Sequence, residues 1–470
     1  MKLSIRHQAA GFAWLALLIV TTATVVLASG AQAASNRGAV LVKDIARGNP
    51  KLPGSSGDPS GLVNVAGTLY FAAHDRRHGD ELWQSDGTRR GTRMVKDIAP
   101  GRPGSSPDQL TAVGKTLYFT ARDGIHGPEL WRSNGTARGT RLVKDLVPGQ
   151  GAYSLGAFTN VAGTLFFIAG AAPQSGTQTG LWASNGTAAT TGLVKGLEQI
   201  GYPTAVGHVL YFAASDGAHA GLWRSDGTTS GTMLVKELEG ANICGDASCY
   251  LTNVAGSLFF AADHGTNVGL WRSDGTDAGT TLVKDGVSAY DLTAVGRTLY
   301  FATRDYSDSW LWRSDGTVAG TVPIISIGAT PEGCYCGLEI TGFPELTNVG
   351  GTLFFYGAGG LSRTDGTPSG TKLLRGGSLA DQLAAAGKTL YFQSSDKKHG
   401  AELWRSDGTR RGTRMVRDIR RGKESSNIFE LIAVGKTLFF RADDGVHGHE
   451  LWRAGPKPCK AAKGKCKKKG

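Results

Sequence analysis

The stretch Glu129-Leu130-Trp131-Arg132-Ser133-Asn134-Gly135-Thr136 comes back as Glu402-Leu403-Trp404-Arg405-Ser406-Asp407-Gly408-Thr409, and its Leu-Trp pair recurs along the chain. The tryptophans are Trp83, Trp131, Trp182, Trp223, Trp271, Trp312, Trp404 and Trp452; Leu361-Ser362 is a ninth copy without the indole. The mean interval is about 46 residues, the range of propeller blades rather than of short solenoid repeats. Each unit holds four short apolar runs, which in the second are Leu110 to Val113, Thr116 to Ala121, Glu129 to Ser133 and Thr140 to Leu146. Val113-Gly114-Lys115, Asp123-Gly124 and Asn134-Gly135 divide them, as turns between antiparallel strands do. Runs such as Leu69-Tyr70-Phe71 are apolar without alternation, so both faces of each small sheet must be covered. A radial stack of sheets supplies that cover.

The chain ends carry the topology. Val40-Leu41-Val42-Lys43-Asp44-Ile45 repeats the fourth run of a unit, as at Met94-Val95-Lys96-Asp97-Ile98, with no first three runs before it. The last unit reaches Glu450-Leu451-Trp452-Arg453 and stops short of its own fourth run. Pairing the two would close a ring and remove two exposed sheet edges. The expected fold is therefore all-β, a single closed β-propeller of nine four-stranded blades whose last blade is completed by the N-terminal strand. The 69 glycines follow no three-residue period, which excludes collagen, and 40% hydrophobic content excludes a disordered chain.

Outside the repeats, Lys2 and Arg6 precede an apolar run from about Ala9 to Ala28, followed by Ala31-Gln32-Ala33. This reads as a signal peptide over residues 1–33, with an uncleaved membrane anchor as the alternative. Residues 34–455 form the propeller of nine repeats, and 456–470 a Lys-rich, Cys-containing disordered tail. Of the net charge of +12, Lys2 and Arg6 supply two and the seven lysines from Lys457 to Lys469 supply seven, leaving +3 for the rest. A nearly neutral body argues against a nucleic-acid partner, while the tail suits an anionic surface. The expected location is secreted or associated with the cell envelope, with no membrane span after signal cleavage. Six cysteines fit an oxidising compartment; Cys244 with Cys249 and Cys459 with Cys466 are the disulfide candidates, and the pairing of Cys334 and Cys336 stays open.

The Glu-Leu-Trp-Arg-Ser-Asn/Asp-Gly-Thr phrases resemble the bacterial ELWxxDGT repeat family across essentially the whole mature chain. The resemblance implies an exported, propeller-like protein and supplies no activity or catalytic residue. Units three to seven depart from it by lacking the glutamate.

Recurrence at one strand position marks the tryptophans as packing between blades rather than as ligand cages; Trp310, outside the pattern, is expected at the surface. The Ser-Asp-Gly-Thr turns carry one carboxylate each, too few for calcium, and Asn134 and Asn185 replace that aspartate, as an Asx-Gly turn tolerates. Glycine position also moves with the asparagines Asn64, Asn160, Asn253 and Asn348, a sign of two hairpin types.

The pattern with most chemistry is Asp-x-x-His-Gly-x-Glu-Leu. It supplies the candidate ligand-binding residues Asp75, His78 and Glu81; Asp123, His126 and Glu129; Asp396, His399 and Glu402; and Asp444, His447 and Glu450. They belong to units one, two, eight and nine, which a closed ring makes neighbours. Asp216 and His219 form a shorter version without the glutamate. The plain alternative is a loop lock, with aspartate capping backbone and histidine packing on the next blade. No blade carries a unique His, Asp and Ser cluster, so no catalytic residue, metal or cofactor is assigned. The expected function is a non-enzymatic exported scaffold that binds glycan or protein at the cell envelope through blade-connecting loops. The alternative is an extracellular polysaccharide hydrolase or lyase using the same histidines and carboxylates. Gly87 to Val95 and Gly408 to Val416 are identical and rich in arginine, a cluster suited to anionic polymers on the other face.

Overall fold

The computed structural model describes residues 38–46, 56–146, 153–171, 179–238, 251–264, 267–303, 308–328, 345–357, 359–377 and 382–456. Among them, nine antiparallel sheets of four strands make up a nine-bladed β-propeller. Blade 1 runs through Ser60–Val65, Thr68–Asp75, Gly79–Ser85 and Arg93–Lys96, and blades 2 to 8 repeat that order. The ninth blade takes Phe429–Val434, Thr437–Asp443 and His449–Ala454 from the end of the chain and Val40–Lys43 from its beginning. Val40 faces Arg453 and Leu41 faces Trp452, so the ring is closed by the strand that the sequence left without a unit. The first strands of neighbouring blades touch all the way round, including Ser60–Val65 against Phe429–Val434.

Each blade buries both faces because its core lies between sheets. Leu69, Phe71 and Trp83 join Val42, Val434, Phe439 and Leu451 of blade 9, while Tyr70 and Leu82 join Leu117, Phe119 and Trp131 of blade 2. Consecutive residues of one strand thus serve two different cores, the physical reason for the unalternated apolar runs. Such burial contributes roughly 1.5–3 kcal/mol per large side chain.

At several interfaces a lysine of the fourth strand reaches forward onto the tryptophan of the next blade. Lys43 Nζ lies 5.1 Å from the centre of the Trp83 ring and donates to the Thr92 carbonyl oxygen at 2.6 Å. Lys96 on Trp131, Lys144 on Trp182 and Lys195 on Trp223 repeat the arrangement. In the last two interfaces Arg375 covers Trp404 and Arg417 covers Trp452. The tryptophans are inter-blade packing, whereas Trp310 is 37% exposed. Blade 7 keeps register without its indole, since Phe355 pairs with Ser362 as Phe71 pairs with Trp83.

The two hairpin types are real. Asn64 Oδ1 accepts the Gly67 N–H, and its Nδ2 donates to the Ala433 carbonyl oxygen of the previous blade. Asn160, Asn253 and Asn348 do the same against Ala112, Ala205 and Ala294. In the Asn units both central turn residues have positive φ, as at Ala66 and Gly67; in the Ala units only the first does, as at Gly114. These are the geometries of types I′ and II′. The Asn185 expectation needs correcting. In blade 2, Asn134 Oδ1 accepts from Thr136 and lies over Gly139, where an added Cβ would sit 1.9 Å away. In blade 3, Thr190 stands at that glycine position; Asn185 instead accepts from Thr164, and Thr187 caps a short 3-10 turn.

The expected signal peptide, the lysines of the tail, and Cys244, Cys249, Cys334, Cys336, Cys459 and Cys466 lie outside the described residues. Among the described residues no helix is long and apolar enough to cross a membrane.

Candidate functional site

The four Asp-x-x-His loops join the second and third strands of blades 8, 9, 1 and 2, consecutive blades in the ring. In each, one carboxylate oxygen accepts two backbone N–H groups, from Arg77 and His78 in blade 1 and from Ile125 and His126 in blade 2. Asp396 and Asp444 bind Lys398 and His399, and Val446 and His447, likewise. The histidine Nδ1 lies 2.8–2.9 Å from its aspartate in all four loops. Protonated Nδ1 donates there and leaves Nε2 available. His126 Nε2 and His399 Nε2 are 3.9 and 4.0 Å from Asp145 and Asp418, which directly follow the fourth strands of the same blades. The hydrogen bond to Asp123 above all holds the His126 pKa above its ordinary value. That of Asp396 is pulled down to about 2, chiefly by His399. Burial pushes the carboxyls of Asp75, Asp123 and Asp444 upward, but the bonds from the loop outweigh it and leave them lowered. The glutamate-free loop of Asp216 forms the same backbone bonds, yet His219 Nδ1 stays 3.6 Å away.

The glutamates are not ligand-facing. Glu81, Glu129, Glu402 and Glu450 are 0–1% exposed, and each accepts from the backbone that follows a fourth strand. Glu81 takes the Ala99 N–H and the Ser105 hydroxyl; Glu129 takes the Leu146 N–H; Glu402 takes Ile419, Arg420 and the Ser426 hydroxyl. Glu450 takes Ile45, Ala46 and Gly57, binding the N-terminal segment to the last blade. A carboxylate in this position satisfies N–H groups that would otherwise be orphaned in the interior, so contact with a ligand is closed to these four. Ser105, whose hydroxyl donates to Glu81, is fully buried with it. Burial raises the Glu81 pKa and pushes those of Glu402 and Glu450 up to about 7 and about 8.

The loops therefore act as locks, and what differs among them is displayed outward. At their tips the residues between Asp and His are Lys397-Lys398, Gly445-Val446, Arg76-Arg77 and Gly124-Ile125 in ring order, basic and apolar in alternation. Ile125 is 71% and Val446 62% exposed. On the axial side, residues flanking the invariant positions diverge completely. His74 faces Asp80, with Nδ1 3.0 Å from the carboxylate; Arg122 stands at the His74 position of blade 2. In blade 9, Asp443 faces His449; it accepts from Arg420 at 2.6 Å, and His449 lies 3.4 Å from Asp58. Between blades 1, 2 and 3 lies a cleft of about 520 Å³ whose polar lining includes Asp58, Asp80, Ser106, Asp108, Arg122 and Ser154. Asp58, Asp80, Asp108, Arg122, His74 and His449 escaped sequence reasoning because recurrence finds what every blade needs. A usable signal was present: variation at a position beside an otherwise repeated motif. Among the described residues no group of three or more His, Cys, Asp or Glu side chains is arranged to hold a metal ion.

Neither a family model nor a curated protein matches the chain by sequence. Solved structures do resemble it. Puromycin hydrolase aligns with a TM-score of 0.42 at 11% identity over 84% of this chain, which spans 62% of the hydrolase. The β-propeller domain of the Trilobed protease from Pyrococcus furiosus, described as an open velcro topology, aligns at 0.34 and 11% over 67% of this chain and 97% of its own. An oligogalacturonate lyase in complex with manganese aligns at 0.35 and 13%, covering 62% of this chain and 86% of that one. At these identities the likeness concerns the propeller fold alone.

Proposed function

We propose that this propeller is an exported, non-enzymatic binding protein of the cell surface or its surroundings, which holds a glycan on the loop face of blades 8, 9, 1, 2 and 3. The observation that carries this reading is the contrast between an invariant Asp–His–Glu support and the divergent polar side chains it presents around the cleft. Identical locks keep the loops rigid, and rigid, unlike neighbours make an asymmetric surface from a symmetric ring. Asp58, Asp80, Asp108 and Arg122 suit sugar hydroxyls, to which carboxylates and guanidinium groups bind through paired hydrogen bonds. Ile125 and Val446 offer apolar contact for the C–H faces of the same sugars.

The test is titration of the mature chain, from Ala34 onward, against a panel of extracellular polysaccharides and their oligomers by calorimetry, with product analysis on the same samples. Binding that weakens about tenfold or more in Asp80→Asn and Arg122→Gln, at unchanged melting temperature, is the expected result, since a charged hydrogen bond contributes about 1.5–3 kcal/mol. Release of shortened or unsaturated products would instead establish the hydrolase or lyase alternative. No binding to any glycan, with binding to an envelope protein, would move the reading to a protein partner.

A further inference from the structure

The opposite face carries a second signal, independent of the loop site. There, each Ser-Asp-Gly-Thr turn joins the third strand to the fourth, and the turn residue folds back on its own backbone. In blade 2, Asn134 Oδ1 accepts from the Thr136 N–H and hydroxyl; in blade 8, Asp407 makes the same pair of bonds with Thr409. Beside the turns of blades 2 and 8 lie concavities of about 460 Å³ and about 410 Å³. The first is bordered by Arg132, Arg138 and Arg141, the second by Arg405, Arg411 and Arg414, at corresponding positions.

The outer two arginines are confined to one part of the ring. Four and seven residues beyond the turn Asx, blades 1, 2 and 8 have Arg90 and Arg93, Arg138 and Arg141, and Arg411 and Arg414, all exposed. At the same places blades 3 to 6 have Ala189 and Gly192, Ser230 and Met233, Ala278 and Thr281, and Ala319 and Val322. Packing does not require the arginines, since the turn is built without them. Between blades 8 and 1 the chain leaves blade 9 on this face after Ala454 and leads into the seven lysines of the tail. Arg453 there donates to the Gly87 carbonyl oxygen of blade 1.

Blade 2 differs from blades 1 and 8 in one further way. Asn134 makes the same turn as Asp407 but brings no negative charge, so its three guanidinium groups share their pocket with no carboxylate. The exposed apolar side chains of this face, Met233, Val318 and Leu373, belong to blades 4, 6 and 7, which favours a soluble partner over a bilayer. A concavity of this size with guanidinium and threonine donors suits a tetrahedral oxyanion, and its repetition suits a chain of them. We propose that the turn face of blades 8, 9, 1 and 2 binds a linear polymer bearing serial phosphate or sulfate groups, with the blade 2 pocket as its strongest subsite.

The test uses the full mature chain with long-chain inorganic polyphosphate and dextran sulfate as probes, titrated over a series of NaCl concentrations; preference for one probe distinguishes phosphate from sulfate. Asn134→Asp should weaken binding and Asp407→Asn should tighten it, each by about two- to fivefold. Both substitutions exchange residues that the turn already accommodates. Replacing Arg138 and Arg141 together by glutamine should lower the slope of log affinity against log salt by roughly 1.5. The proposal is overturned if the two Asx exchanges leave affinity unchanged, or if glutamine at the seven tail lysines abolishes binding while the arginine variant does not. Binding to phosphatidylglycerol vesicles but to neither polymer would overturn it as well, in favour of a membrane surface.

Discussion

Lys43→Met tests how the ring is sealed. The methionine keeps an apolar stem against Trp83 and removes the ammonium group, which lies 5.1 Å from the ring centre and 2.6 Å from the Thr92 carbonyl oxygen. A partly desolvated cation–π contact contributes roughly 1 kcal/mol and a charged hydrogen bond about 1.5–3 kcal/mol. Allowing for the cost of ordering a lysine side chain, the net loss should be about 2–3 kcal/mol. With an unfolding entropy of about 2.1 cal/mol/K per residue over roughly 400 residues, the melting temperature should fall by about 2–4 °C. Lys144→Met removes the same pair of contacts, Trp182 and the Thr191 carbonyl oxygen, and should cost a similar amount. The two variants should part in hydrogen exchange. Val40–Lys43 is tied covalently to the ring at one end only, so it can open without disturbing blade 1. Exchange of its amides should rise by at least tenfold in Lys43→Met and stay unchanged in Lys144→Met. Equal exchange in both variants, or a Lys43→Met protein that melts like the parent, would refute a seam held by this lysine.

Three further outcomes follow from the same structure. Burial lifts the Glu402 and Glu450 pKa values from 4.5 to about 7 and about 8; stability from these groups is complete below about pH 4.5 and is lost as pH rises through 7 and 8. The urea midpoint should therefore fall between pH 6 and pH 9, and less so in Glu450→Gln. Asp396 works in the opposite sense: lowered from 3.8 to about 2, it contributes stability above about pH 4 that disappears as pH falls through 2, and Asp396→Asn should flatten that acid limb. Asn64→Ala removes the bonds to Gly67 and the Ala433 carbonyl oxygen while leaving Ala66 at positive φ. It should cost about 1–2 kcal/mol in thermal denaturation, and Ala66→Gly with Gly67→Lys should recover much of it by restoring the turn of blade 2.

The strand count, the blade boundaries and the seam were all readable in the amino-acid sequence. Each rests on local composition repeated in one dimension: apolar runs for two buried faces, Asx-Gly for hairpins, an orphan Val40 to Ile45 for the closure. The candidate site was legible only halfway. The spacing in Asp-x-x-His-Gly-x-Glu located the loops and their aspartate caps, but it placed the histidine against the next blade, whereas His78 pairs with Asp75 of its own loop. It said nothing about Glu81 and Glu450 turning inward, since that depends on the N–H groups of Ala99, Ile45 and Gly57, which another strand delivers.

Sequence alone determined that this chain would form a ring of like sheets and which blades would share a motif, because pattern and period are properties of the chain. Only the tertiary structure decided which members of that motif meet solvent. Accessibility is set by what lies across the blade interface and along the axis, and residues such as Asp58 and Asp80, or Arg122 and Asp108, come together through packing that no single repeat encodes.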